Sequence, residues 1–172
     1  MDADLIKNAI RNVKDFPKPG ILFYDITTVL QDGKLLSLAT DLMDNNYQVK
    51  PTKIIGIESR GFIFGTALAY KLGIGLVTVR KKGKLPYKTY EASYALEYGE
   101  ATLEIHQDAL EKGDRVVIVD DLLATGGTAE ATVKLVNKFD VQILGIEFLI
   151  ELEALQGRKV LAGENVNTII KY

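Results

Sequence analysis

Two adjacent carboxylates, Asp120 and Asp121, follow a run of apolar β-branched residues, Val116 to Val119, and precede Ala124-Thr125-Gly126-Gly127-Thr128. Small residues running into a helix let backbone N–H groups approach an anion, and the helix N-terminus adds partial positive charge. The threonine hydroxyls add further donors. Carboxylates repel phosphate, so acids beside a phosphate cradle require a ligand carrying both kinds of group. A ribose phosphate meets that requirement: the acids accept hydrogen bonds from vicinal hydroxyls while Ala124–Thr128 takes the 5-phosphate. The loop is not the nucleoside triphosphate pattern, since no Gly-Lys-Ser/Thr follows the glycines, and it is not Gly-x-Gly-x-x-Gly.

A second strand-like run, Lys53–Ile57, enters Glu58-Ser59-Arg60-Gly61. Arg60 offers a planar fork that matches phosphate oxygens. Taken alone, Ser-Arg-Gly reads equally well as a plain turn. A cationic cluster, Arg80, Lys81, Lys82 and Lys84, follows the run Leu76–Val79. It reads either as a solvated face or as a counter-charge for a polyanionic substrate. The chain has no cysteine and a single histidine, His106, which excludes disulfides, thiolate metal centres and multi-histidine sites. His106 is assigned no role.

These residues need a scaffold. The runs Lys53–Ile57, Leu76–Val79, Val116–Val119 and Val141–Ile150 have the character of buried strands. Between them lie helical patterns at Leu35–Asn45, Phe62–Lys71 and Thr128–Asn137. That alternation predicts an α/β fold with a mainly parallel central sheet flanked by helices. Ligands in such sheets sit beyond the carboxyl ends of the strands, where Asp120 and Asp121 are expected. From Arg80 to Arg115 the alternation breaks, and SYALEYGEATLEI reads as an antiparallel ribbon turning near Tyr98-Gly99. A first helix is predicted near Ala3–Val13, followed by an irregular path through Pro17 and Pro19. With 172 residues, 47% hydrophobic and 26% charged, the chain suits one domain spanning 1–172. A net charge of −2 gives no bulk attraction to nucleic acid or an anionic membrane. No stretch approaches the ~18 apolar residues of a membrane span, and a cytoplasmic protein is expected.

VVIVDDLLATGGT resembles the phosphoribosyl pyrophosphate motif of the type I phosphoribosyltransferases. GIESRGFIFGTALA, ASYALEYG and DFPKPGILFYDIT are similar to segments of the adenine phosphoribosyltransferase family, in family order and across nearly the whole chain. The resemblance implies the type I fold with an N-terminal base-binding hood over 1–27 and a flexible active-site loop over 81–97. It implies a purine salvage reaction: adenine plus 5-phospho-α-ribosyl 1-pyrophosphate (PRPP) gives AMP and pyrophosphate. Glu58, Ser59, Arg60, Arg80, Lys81 and Lys84 would serve the pyrophosphate, with Arg60 contacting the leaving group. Glu97 would lie near the purine, either transferring its proton or stabilising its tautomer. Phe16, Leu22, Tyr24 and Leu152 would bind adenine, Leu22 through its backbone. Tyr98 reads as a packing residue of the closed loop or of the core.

One position departs from the family, which carries Arg or Lys where this chain has Tyr24; base selectivity is the property this touches. Magnesium is implied as cofactor, held mainly through substrate oxygens, with no protein-built metal site. A homodimer is implied as well, and amphipathic helix faces are read as core or dimer contact. Two other readings are a phosphoribosyltransferase for another purine and a catalytically silent regulator that senses PRPP. The second normally carries an added nucleic-acid-binding domain, for which 172 residues leave no room.

Overall fold

The structure, a computed structural model, describes residues 2–45, 47–95 and 99–172. The elements in chain order are α1 (Asp2–Ala9), β1 (Arg11–Lys14), β2 (Leu22–Asp25), α2 (Thr27–Gln31), α3 (Gly33–Met43), β3 (Lys53–Ile57), α4 (Gly61–Leu72) and β4 (Gly75–Lys81). They continue with β5 (Thr89–Ala95), β6 (Glu100–His106), β7 (Arg115–Leu123), α5 (Gly127–Val136), β8 (Gln142–Glu151) and β9 (Val166–Lys171). Seven strands form one sheet in the order β5-β6-β4-β3-β7-β8-β9. The neighbours from β4 to β9 pair in parallel, while β6 meets both β4 and β5 antiparallel. The expected α/β class and the antiparallel ribbon are both present.

The alternation of side chains along the central strands divides the core in two. Ile55, Ile57, Val116 and Ile118 face one side, where α5 covers them with Ala131, Leu135 and Val136. Ile54, Val117 and Val119 face the other, against Ile6 of α1, Met43 of α3 and Phe64 and Leu68 of α4. A strand buried on both faces must be apolar at every position, which is why these runs stand out in the sequence. Helix α3 starts where the Asp32 side chain accepts hydrogen bonds from the N–H groups of Lys34 (2.8 Å) and Leu35 (3.1 Å).

One expectation needs correction. The first helix ends at Ala9, and Arg11–Lys14 instead pairs antiparallel with β2, Arg11 opposite Asp25 and Lys14 opposite Leu22. An Arg11–Asp25 ion pair of 3.5 Å closes this small ribbon. Tertiary pairing here overrides a weak helical preference. Within the described part of the segment 81–97, Lys81 closes β4, residues 82–88 form neither helix nor strand, and Thr89–Ala95 is a strand. Glu97 and Tyr98 lie outside the described residues.

Candidate active site

Strand β7 runs apolar from Val116 to Val119, and its mouth carries the two acids. Asp121 is buried, and its Oδ2 lies 2.9 Å from Arg60 Nε. The Asp121 N–H donates to Asp120 Oδ1 at 2.9 Å. Burial pushes the Asp120 carboxyl well above the usual carboxylate range, and the adjacent Asp121 charge pushes it further. Burial also raises Asp121, against the opposing pull of Arg60. The pair is therefore short of donors, and hydroxyl groups or a developing positive charge close to it would favour its ionised form.

Beyond the acids the chain turns through Ala124–Gly126 into α5. No side chain caps this helix, since Gly126 occupies the cap position in the left-handed conformation, φ 86°. The first-turn N–H groups are left for another acceptor, as in helix N-termini that hold phosphate. Asp120, Leu122 and the segment Leu123–Ala129, with Phe148 behind, enclose a small hollow of about 70 Å³. The loop rests on the 3₁₀ turn Gly157–Leu161, which closes its back.

On the neighbouring strand, β3 ends in Glu58-Ser59-Arg60. Helix α4 begins so close to β7 that a Cβ on Gly61 would lie 2.6 Å from the Val119 carbonyl oxygen and 2.9 Å from Asp120 Oδ1. This contact sets Arg60 beside Asp121. A polar cleft of about 380 Å³ brings together Glu58, Ser59, Arg60, Lys81, Asp120, Asp121, Ala124 and Thr128, with Tyr94 of β5 as one wall. Arg60 also borders a second, largely apolar pocket of about 450 Å³ formed with Phe16, Phe23, Asp25 and Ile63. Its guanidinium carbon stands 5.6 Å from the Phe23 ring centre, and Phe16 meets Phe23 edge-on at 5.1 Å. Arg60 thus borders both the polar cleft and the apolar pocket.

The chain matches the phosphoribosyl transferase domain family over residues 29–165. It is 55% identical over the full length of both chains to an adenine phosphoribosyltransferase of Francisella philomiragia. The identity is 52% to one of Clostridium botulinum, covering 97% of this chain and 98% of the relative. The chain belongs to the adenine phosphoribosyltransferases. Among solved structures, the Rhodothermus marinus adenine phosphoribosyltransferase superimposes with a TM-score of 0.94 at 53% identity, covering 99% and 98% of the two chains. That of Saccharomyces cerevisiae, complexed with an imino-altritol bisphosphate and adenine, gives a TM-score of 0.93 at 39% identity over 98% of each chain.

In this adenine phosphoribosyltransferase several residues singled out in the sequence fall outside the two pockets. Glu58 does line the cleft, and its carboxylate accepts from the Arg80 guanidinium (3.2 Å) and the Lys81 N–H (3.0 Å). Its burial works to raise its pKa, but these donors outweigh that and hold it below the usual value. Glu58 accordingly fixes Arg80 and the Lys81 backbone at the edge of the cleft. Arg80 lies behind the cleft, and its guanidinium also donates to the Lys84 carbonyl at 3.2 Å. Leu22 is exposed, and Leu152 packs into the core beside α1 and α3. Tyr24 is turned from the apolar pocket and stacks on Tyr172, ring centres 3.9 Å apart. Residues on a strand alternate sides, so Phe23 and Asp25 line the slot while Tyr24 faces the core.

Phe23, Tyr94 and Gly157 are site residues not singled out in the sequence. The period-two alternation of LFYD is the available signal for Phe23. Tyr94 sits in the ribbon with its Cδ2 3.1 Å from where a Cβ on Gly127 would stand. Nothing local marks Gly157.

Proposed function

We propose that this enzyme transfers the 5-phosphoribosyl group from PRPP to adenine, releasing AMP and pyrophosphate. The observation that carries the reading is the Asp120–Asp121 pair at the mouth of β7, with Arg60 on one side and the Ala124–Thr128 cradle on the other. The cradle takes the 5-phosphate and the acids accept from the ribose hydroxyls. Arg60, Ser59 and Lys81 face the pyrophosphate, while Glu58 holds Arg80 and Lys81 in place. The bond from C1 of the ribose to the pyrophosphate oxygen breaks with its electron pair leaving on pyrophosphate. Positive charge then grows on the sugar ring beside the two carboxylates, which stabilise it electrostatically. Adenine N9 forms the new bond to C1 and loses its proton to a base, a role we assign to Glu97 on the segment 81–97. Closure of that segment would keep water from the reactive centre.

Phe23 and Phe16 supply the apolar faces on which a purine rests, and the hood backbone at Leu22 reads its edge. Among the described residues no group of three or more carboxylate, histidine or cysteine side chains stands together to hold a metal. Of the three carboxylates at the cleft, Asp121 is engaged by Arg60 and Glu58 by Arg80, which fits Mg²⁺ bound chiefly by substrate oxygens and water. Magnesium so held would neutralise charge on the pyrophosphate. Among the described residues no helix is long and apolar enough to cross a membrane. We place the enzyme in the cytoplasm as a homodimer, with the exposed Tyr70 of α4 as surface a second copy would cover.

Pyrophosphate release in the presence of adenine, hypoxanthine or guanine in competition tests the substrate. Adenine should be used in clear preference, and a preference for a 6-oxopurine would overturn the reading. Arg60→Ala removes a charged partner from the pyrophosphate side. It should raise the KM for PRPP by about 10- to 100-fold, the scale of one charge-assisted hydrogen bond, and that for adenine by less. The reverse ordering in steady-state kinetics would remove Arg60 from the pyrophosphate.

A further inference from the structure

Tyr172 touches neither pocket, yet it ties the hood strand β2 to the turn at Leu152. Its ring stacks on Tyr24 at 3.9 Å with an interplanar angle of 25°. Lys7 of α1 holds the same ring from another side, with Nζ 4.6 Å from its centre, and donates to the Lys171 carbonyl at 2.8 Å. The Tyr172 backbone brackets Leu152: its N–H donates to the Glu151 carbonyl at 3.0 Å, and its carbonyl accepts from the Glu153 N–H at 2.9 Å. A Lys171–Glu153 ion pair of 2.9 Å reinforces that bracket.

We infer that Tyr172 is a positioning residue for the purine, locking the hood strand β2 and the Leu152 turn into one rigid jaw. The inference rests on the proposed adenine reaction. Its physical basis is the alternation in β2. Tyr24 and Phe23 are consecutive residues on a strand, so fixing the Tyr24 ring from the core side fixes how Phe23 is presented on the slot side. The hood needs such an anchor, because β1 and β2 form a two-stranded ribbon separate from the main sheet and a two-stranded ribbon is marginally stable alone. Leu152 sits between two residues whose backbones Tyr172 engages. On the proposed reading adenine enters the apolar pocket that Phe23 lines, whereas PRPP is met by the ends of β3 and β7 and the start of α5, none of which Tyr172 touches in these interactions. The stack also explains a tyrosine at position 24: an aromatic ring there has an aromatic partner.

The effect should therefore divide by substrate. Tyr172→Ala should raise the KM for adenine roughly three- to tenfold, the scale of an aromatic pair, with the KM for PRPP and kcat within about twofold. Tyr172→Phe should restore wild-type values, since the stack needs the ring and not the hydroxyl. Tyr24→Ala should produce the same adenine defect, and the double variant should be no worse than either single one, as expected of residues acting through one contact. Tyr172→Leu, which keeps apolar volume, serves if the alanine variant fails to fold, with the same expected split. Equal rises in both KM values, or unchanged kinetics with only a lower Tm, would overturn the positioning role. Failure of the wild-type enzyme to release pyrophosphate with adenine would instead sink the reaction on which the inference rests.

Discussion

Replacing both Asp120 and Asp121 by Asn should cut kcat/KM by about two to four powers of ten while the enzyme stays folded. On the proposed reading each carboxylate accepts charge-assisted hydrogen bonds from the ribose, and two such losses at about 1.5–3 kcal/mol each give that range. The amide keeps an acceptor oxygen at the same position, so the variant removes charge more than shape. Activity near that of the wild type would show that the sugar does not sit at the mouth of β7.

The same charges should cost stability in the free enzyme. Burial lifts the Asp120 carboxyl above its ordinary value of 3.8, with Asp121 adding to the shift. Between the ordinary and the raised value the native state binds more protons than the unfolded chain. The group's contribution to stability is thus retained at low pH and lost as pH rises through the raised value. Asp120→Asn alone should accordingly raise the Tm at pH 7, and the advantage should shrink as pH falls toward 4. The Asn side chain can still accept from the Asp121 N–H, and the Arg60–Asp121 pair remains. Thermal melts of both proteins across that range measure the difference. A variant less stable than the wild type at pH 7 would contradict the assigned direction. Activity should move oppositely with pH, since ionised acids serve the ribose; kcat/KM should fall on the acid side above the pH at which an ordinary aspartate titrates.

The parts of this molecule legible in the sequence are those where local chemistry and tertiary demand coincide. Lys53–Ile57 reads as a strand and is one with the same bounds, because a strand buried on both faces admits only apolar residues. Asp120 and Asp121 stand out because acids at the end of such a run have no structural reason to be there. The less legible parts depend on partners distant in sequence. Arg11–Lys14 is a strand because Leu22–Asp25 lies beside it, and nothing in RNVK alone requires this. Val166–Lys171 completes the sheet against β8, but its side chains are mostly half-buried, so it lacks the continuous apolar signature. Tyr24 is readable as a departure from the family but not as a stacking residue, because its partner is 148 positions away by numbering, Tyr24 to Tyr172. Glu58 belongs with the pyrophosphate side by its place in the motif. What the motif does not show is that its carboxylate holds Arg80 and Lys81, a geometry set by the pairing of β3 with β4.

Gly126→Ala should be the most damaging single-methyl change in the site, for two separable reasons. Its φ of 86° puts a side chain in the left-handed region, which costs a residue with a Cβ about 1–2 kcal/mol. The added carbon would also lie 2.5 Å from the Gly157 carbonyl oxygen and 2.5 Å from Val160 Cγ2. The valine side chain can move, but the Gly157 backbone cannot readily do so: a Cβ on Gly157 itself would stand 2.3 Å from the Ala124 carbonyl oxygen, so the two backbones are already in close contact. The phosphate loop must shift toward the ligand side, misaligning the N–H groups at the start of α5. The expected result is a KM for PRPP raised at least about 100-fold, the loss of two or more good hydrogen bonds to a charged group, together with a lower Tm. Gly113→Ala separates the two causes. It has the same φ of 86°, nothing within 4 Å of its added carbon, and a position before β7, at the opposite end of that strand from the acids. It should lower stability by about the left-handed strain alone, ~1–2 kcal/mol, and leave both KM values unchanged. If the two variants prove equally active, the close contact between Gly126 and Gly157 does not shape the phosphate loop, and the cradle assigned to Ala124–Thr128 loses its support.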